Sequence, residues 1–147
     1  MIYTPMTKKA LKLCFEAHKD QTDKSGMPYV FHPFHLAEQM PDEISVTVAL
    51  LHDVVEDTEY TFEDLRQMGF SEEVLAALKL LTHDPSVPYM EYVEQVRHNP
   101  IARAVKLADL THNSDPTRLE SMDDRMLTRF EKYAAAKRLL SQENEDE

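Results

Sequence analysis

The sequence predicts an all-α fold. The strong periodicities are helical, with apolar residues recurring at three- and four-residue steps; glycine occurs only twice; and neither a glycine-rich loop nor a dinucleotide fingerprint is present. The one strand-like stretch, Ile44 to Val48, alternates β-branched residues with Ser and Thr. It runs on through Ala49-Leu50-Leu51, and that continuation favours helix. With 147 residues, 42% of them hydrophobic, the chain can bury a real core. The expectation is one compact multi-helix domain over residues 1–140 and an acidic, disordered tail at 141–147.

Thr4 or Thr7 can cap a first helix with inward positions Leu11, Cys14, Phe15 and His18, ending near Gln21. Asp23-Lys24-Ser25-Gly26-Met27-Pro28 reads as a turn, because Gly26 permits unusual backbone angles and Pro28 restricts Met27 to extended ones. His32-Pro33 reads as a helix start, with Pro33 at the first helical position, His32 at the mouth and the helix running from Phe34 to about Met40. Pro41 separates it from a third helix, about Glu43 to Val55 or Glu56. Thr61 and Asp64 form the capping box of a short helix that ends at Gly69. Glu72 to Thr82 follows, with Val74, Leu75, Leu78 and Leu81 as core, and a loop bounded by Pro85 and Pro88 leads into a helix from Tyr89 to about Arg97. Pro100 opens the next, Ile101 to about Asn113. After an irregular segment around Asp115 to Glu120, Ser121 can cap a last helix with Met126, Leu127, Phe130, Tyr133 and Leu140 facing inward.

Lys and Arg number 16 against 27 Asp and Glu, a net charge of −11 that argues against a general nucleic-acid binder. Any phosphate ligand must therefore be held by local features. The single cysteine, Cys14, can form neither a disulfide nor a thiolate zinc site within the chain, which suits a reducing cytoplasm. No run reaches membrane-spanning length and the start lacks a signal-peptide core, so a soluble cytoplasmic protein with no membrane partner is expected.

The chemistry concentrates in two stretches. In His52-Asp53-Val54-Val55-Glu56-Asp57-Thr58, a helical rotation of about 100° per residue places His52, Asp53, Glu56 and Asp57 within an arc of roughly 140°. The apolar run ahead of them implies that the helix is mostly buried. Three carboxylates beside an imidazole on a buried helix repel one another, and a bound cation is the simplest compensation. A merely solvated acidic helix end is the alternative. In the second stretch, Lys106, Asp109 and Asn113 align on one face of an otherwise apolar helix. A divalent first-row metal needs imidazoles and carboxylates on separate rigid elements, and His32, His52, Asp53 and Asp109 would supply them from three helices.

His32-Pro33, then Leu50-Leu51-His52-Asp53-Val54-Val55-Glu56-Asp57-Thr58, then Val105-Lys106-Leu107-Ala108-Asp109 through His112-Asn113, together with Ala17-His18, Lys24-Ser25-Gly26, Pro28-Tyr29 and Glu63-Asp64, resemble the HD-domain metal phosphohydrolases. Within them the likeness is to the hydrolase domain of RelA/SpoT-type enzymes and to small stand-alone alarmone hydrolases, over about residues 10 to 115. The resemblance implies an all-helical HD domain that removes the 3′-pyrophosphate from guanosine tetra- or pentaphosphate. It implies His32, His52, Asp53 and Asp109 as metal ligands, manganese as the usual ion with Fe, Zn, Ni or Co as alternatives, Glu56 and Asp57 as the acid/base pair, and Lys24, Ser25 and Asn113 as substrate contacts. Glu56, one turn beyond His52, is the better-placed residue to organise a water, but spacing alone does not divide its role from that of Asp57. Where the family has an arginine contacting the base, this chain has Asp23. No nucleotide-synthesising domain follows, so hydrolysis alone is expected.

Other polar residues have blander readings. His35 reads as a packing or surface residue, His18 as structural or substrate-contacting, His83 and His98 as exposed, and His112 as structural support. Lys106 either reaches phosphate or pairs with a carboxylate such as Asp109. The competing functional hypotheses are an HD hydrolase of another phosphorylated nucleotide, suggested by Asp23, and a non-catalytic alarmone sensor or metal-stabilised interaction module, against which the presence of Glu56 and Asp57 argues. The oligomeric state has no signal in the sequence.

Overall fold

A computed structural model of the chain describes residues 1–119 and 121–142. Its helices are α1 (Pro5–His18), α2 (Phe31–Glu38), α3 (Glu43–Leu51), α4 (Val54–Asp57), α5 (Phe62–Gln67), α6 (Glu72–Leu81), α7 (Tyr89–Arg97), α8 (Pro100–Asn113) and α9 (Asp124–Ser141), with a 3₁₀ turn at Pro116–Arg118. No strand occurs among the described residues, and Ile44 to Val48 lies within α3. Among the described residues, no helix is long and apolar enough to cross a membrane.

Helix α3 is the centre of the packing, with every residue from Ser45 to Leu51 buried. It lies against α1, α2, α6 and α8, while α9 covers α7 and α8. Leu50 and Leu51 are fully buried, and each contributes about 1.5–3 kcal/mol through burial of its side chain. Local signals hold the helix ends. Thr4 and Thr7 form a reciprocal capping box ahead of Pro5, Asp42 accepts the Ser45 amide, and Thr61 and Asp64 cap α5. Gly69, at φ +93°, leaves α5 in the left-handed conformation that glycine adopts without strain.

Several expected boundaries shift. Helix α1 ends at His18, and its inward face is Thr7, Ala10, Leu13, Cys14 and His18, leaving Phe15 54% exposed. Helix α2 begins three residues before Phe34, so His32 sits inside the first turn instead of at its mouth and Pro33 is the third helical residue. The third helix is interrupted at His52-Asp53, where Asp53 adopts φ −107° and ψ 1°, and α4 resumes beyond. Asp123 caps α9 in place of Ser121, and Leu127 faces outward at 51% exposure, as most residues of the first turn of α9 do. Ser141 closes α9, and the remainder of the expected tail, 143–147, lies outside the described residues.

Candidate metal centre

The interruption between α3 and α4 determines the site. Two consecutive residues on an unbroken helix diverge by about 100°, whereas the turn at His52-Asp53 brings Asp53 Oδ2 to 2.9 Å from His52 Nε2. Helix α2 contributes His32 and α8 contributes Asp109. His32 Nε2 is 2.8 Å and His52 Nε2 3.6 Å from the same oxygen, Asp109 Oδ1. Ligand atoms of His32, His52 and Asp109 all fall within 4.8 Å of one another, and all three residues are buried. Among the described residues this is the one His/Cys/Asp/Glu group so arranged. Asp53 borders the trio through His52 and stands outside that mutual reach.

His52 provides the test of whether a cation fits. Its Nδ1 lies 2.7 Å from the Ala49 carbonyl and donates there, which leaves Nε2 as the inward atom. That Nε2 is buried and makes no hydrogen bond, although two carboxylate oxygens lie near it. Close approach without hydrogen-bond alignment is what ligands converging on a shared ion display. His32 has the same support. Its Nδ1 meets His112 Nδ1 at 2.7 Å, with the two rings edge to edge and 3° from parallel. Burial, and then the Arg118 cation, push His112 down to about 4, so near neutral pH it carries a lone pair able to accept from His32. A histidine ligand that hands its second N–H to a fixed acceptor is characteristic of metal sites.

Charges agree with this arrangement. Burial disfavours the His52 imidazolium, yet Asp53 and Asp109 outweigh it and hold the group well above its usual range. Burial likewise opposes ionisation of Asp109, but Lys106, His32 and His52 hold it well below the usual carboxylate range. Lys106 Nζ donates to Asp109 Oδ2 at 3.0 Å and Asn113 Nδ2 to Oδ1 at 3.1 Å, so Lys106 pairs with the carboxylate. Tyr29, whose hydroxyl burial and Asp53 keep protonated, donates to Asp53 Oδ2. The sequence offered only its place in the Pro28-Tyr29 match and no role.

Glu56 and Asp57 stand at the rim, one turn past Asp53. Partial burial, then the charge of Asp53, raise both above the ordinary carboxylate range. Two clefts flank the centre. One of about 170 Å³ is lined by His52, Asp53, Glu56, His83, Lys106 and Asp109. The other, about 330 Å³, is lined by Asp23, Lys24, His32, Arg118, Arg129 and Tyr133, and Asn113 borders both. His83 is partly buried, stacked on Tyr92 and bonded to the Val87 carbonyl, where the sequence suggested exposure. His35 is an exposed packing residue stacked on His112. His18 is fully buried, with Nδ1 on Gln21 Oε1. The Ser25 hydroxyl donates to the Arg118 carbonyl at 2.8 Å and ties the two loops of the larger cleft together. Arg118, Arg129 and Tyr133 were missed as site residues, because no periodicity marks which loop or helix end reaches the cleft.

No family model matches the chain. Over 123 residues it is 36% identical to the guanosine-3′,5′-bis(diphosphate) 3′-pyrophosphohydrolase MESH1 of Danio rerio, covering 75% of this chain and 68% of that protein. To MESH1 of Mus musculus it is 36% identical over 114 residues, 67% of this chain and 63% of the mouse protein, so it spans just under two thirds of that relative. To the bifunctional (p)ppGpp synthase/hydrolase SpoT of Escherichia coli (strain K12) it is 32% identical over 121 residues, 72% of this chain but 17% of SpoT. A solved structure, reported as a metazoan ortholog of SpoT that hydrolyzes ppGpp, superposes with TM-score 0.77 at 24% identity, covering 99% of this chain and 90% of that one. That likeness establishes the fold, an all-α HD-type arrangement.

Proposed function

The chain belongs to the HD-domain hydrolase family that includes MESH1 and SpoT, and from that premise we propose that it removes the 3′-pyrophosphate from guanosine tetra- or pentaphosphate with one divalent ion, manganese, at its centre. The observation that carries this reading is the convergence of His32, His52 and Asp109 around a buried, unpartnered His52 Nε2. Glu56 and Asp57 at its rim are what a protein that only bound nucleotide would not need.

When bound, the ion lowers the pKa of a water and neutralises phosphoryl oxygen charge. The residues of the chain do the rest. His32, His52 and Asp109 would hold the ion, with Asp53 beside His52 as the fourth candidate ligand, and Ala49 and His112 orient the two imidazoles. Lys106 and Asn113 keep the Asp109 carboxylate ionised and fixed. Glu56 accepts the proton that the attacking water loses, with Asp57 beside it, and their raised affinity for a proton favours that transfer. Attack on the phosphorus next to the ribose breaks the bond to the 3′-oxygen, which takes up a proton as pyrophosphate departs. Lys24 and Asn113 face the nucleotide from the larger cleft. The reading treats residues 1–140 as one catalytic domain acting on a small nucleotide, with nucleic acid and membrane not among its partners and the cytoplasm as its place of action.

The test is a manganese-supplemented assay of purified protein against a nucleotide panel, with released pyrophosphate and phosphate detected separately. Pyrophosphate from nucleotides bearing a 3′-diphosphate is the expected result. Release of phosphate alone, or from nucleotides lacking that group, would transfer the reading to an HD hydrolase of another phosphorylated nucleotide. No turnover with nucleotide still bound would indicate a sensor.

A further inference from the structure

Arg118 stands where the two loops of the larger cleft meet, and it is held by its edge. Its Nη1 donates to the His112 carbonyl at 2.8 Å and to Asn113 Oδ1 at 3.3 Å. Its Nη2 lies 3.7 Å from Asp23 Oδ2, and its own carbonyl accepts the Ser25 hydroxyl at 2.8 Å. Both Nη1 hydrogens are therefore spent on the protein, and a counter-charge faces Nη2. Asp23 is equally committed. Its Oδ1 accepts the amides of Ser25 and Met27 at 2.9 and 3.0 Å, which shapes the turn, while Oδ2 faces the guanidinium.

With Nη1 occupied, Asp23 facing Nη2 and its side chain 25% exposed on the wall of the cleft, the group still has its plane for a ligand. A guanidinium face stacks on aromatic rings, and one already immobilised loses little side-chain freedom in doing so. Direct phosphate capture would have to use Nε and Nη2, and the Asp23 carboxylate 3.7 Å from Nη2 opposes an anion there. We infer that Arg118 is a specificity-determining residue of this site: the substrate's base stacks on its guanidinium, and Asp23 is a positioning residue that holds the plane. The inference rests on the hydrolase reading above.

The test compares kcat/KM for guanosine tetraphosphate and for the corresponding abasic ribosyl compound, in wild type, Arg118→Lys and Asp23→Asn, with metal content measured for each. Lysine keeps the charge and loses the plane, and asparagine keeps the Oδ1 acceptor and loses the counter-charge. Wild type is expected to favour the base-bearing compound by about tenfold or more, the order of one base stack. Arg118→Lys collapses that ratio through KM, not kcat, and Asp23→Asn reduces it in the same direction. Should Arg118→Lys lose its metal, Asp23→Asn decides by the same ratio. A ratio unchanged from wild type, or an equal loss on both compounds as a phosphate contact would give, overturns the inference while leaving the hydrolase reading intact. Wild type that turns over neither compound overturns both.

Discussion

His32, His52 and Asp109 stand on helices that pack together in the core, whereas Lys24, Ser25 and Arg118 stand on two loops joined by a few polar bonds. On the helical side each charged or imidazole group has a partner within the fold: Lys106 and Asn113 on Asp109, the Ala49 carbonyl on His52, His112 on His32. On the loop side the groups are partly exposed and pair mainly with backbone or with each other. The candidate metal centre is thus tied into the packed helices, and the wall of the larger cleft is held by loop contacts. Substitution should couple function to stability on one side and separate them on the other.

The largest effect should follow from Asp109→Ala. Removing the anion leaves Lys106, its side chain 15% exposed, without its ion-pair partner, and Asn113 without its acceptor. Breaking a buried pair from one side costs about 3 kcal/mol or more, read as a lowered urea midpoint with helicity retained in the folded state. A loss no greater than that of Asp23→Ala would dissolve the contrast between the two sides.

Glu56→Gln and Asp57→Asn come next. Each should keep the metal and lose about 10²-fold or more in kcat, the ordinary scale of a lost acid/base group. Full activity in both would show that the water is activated elsewhere. Because burial, and then Asp53, raise their affinity for a proton, the acid limb of the pH–rate profile should lie above the usual carboxylate range, with activity lost as pH falls through it. The same sign governs stability. A carboxyl with a raised folded pKa binds its proton better in the folded state, so its ionised form weakens the fold above that pKa and the penalty vanishes below the unfolded one. Neither substitution should therefore destabilise the protein at neutral pH, unlike Asp109→Ala.

A smaller change is expected at the lip. Asp23→Ala removes the acceptor of the Ser25 and Met27 amides and should cost about 1 kcal/mol, with metal content unchanged, whereas Asp23→Asn preserves the turn. The smallest effect belongs to the scaffold away from both clefts. Asp42 caps α3 by accepting from the backbone amide of Ser45, then from its hydroxyl, and those bonds lower its proton affinity. Asp42→Ala should cost about 1 kcal/mol with kcat unchanged. A depressed folded pKa adds stability above the unfolded value and loses it as pH falls through the folded one. The difference between wild type and Asp42→Ala, followed by chemical denaturation, should shrink in acid.

The same contrast explains what was legible in the sequence. His32 and Asp109 stand in helices, and His52 at the end of one, whose apolar periodicity and caps reveal their existence, while their grouping as ligands was implied by the family resemblance. The break at His52-Asp53 could not be anticipated, because the apolar run through Leu51 and the valines after it read as one helix. Phe15 and Leu127 fit a helical stripe but lie where no neighbouring helix covers them, which periodicity does not report. Loop contacts were the least legible. Asp23 read as a missing base contact, while in the structure it shapes a turn and faces Arg118, a residue 95 positions away that no local pattern connects to it.

The central claim is that one ion sits among His32, His52 and Asp109. Elemental analysis of manganese-loaded protein after gel filtration tests it most directly, in wild type, His52→Ala and Asp42→Ala. The account predicts about one ion per chain in wild type and Asp42→Ala, and none retained in His52→Ala, whose unpartnered Nε2 is the atom that marks the site. Metal content unchanged by His52→Ala in folded protein would contradict it.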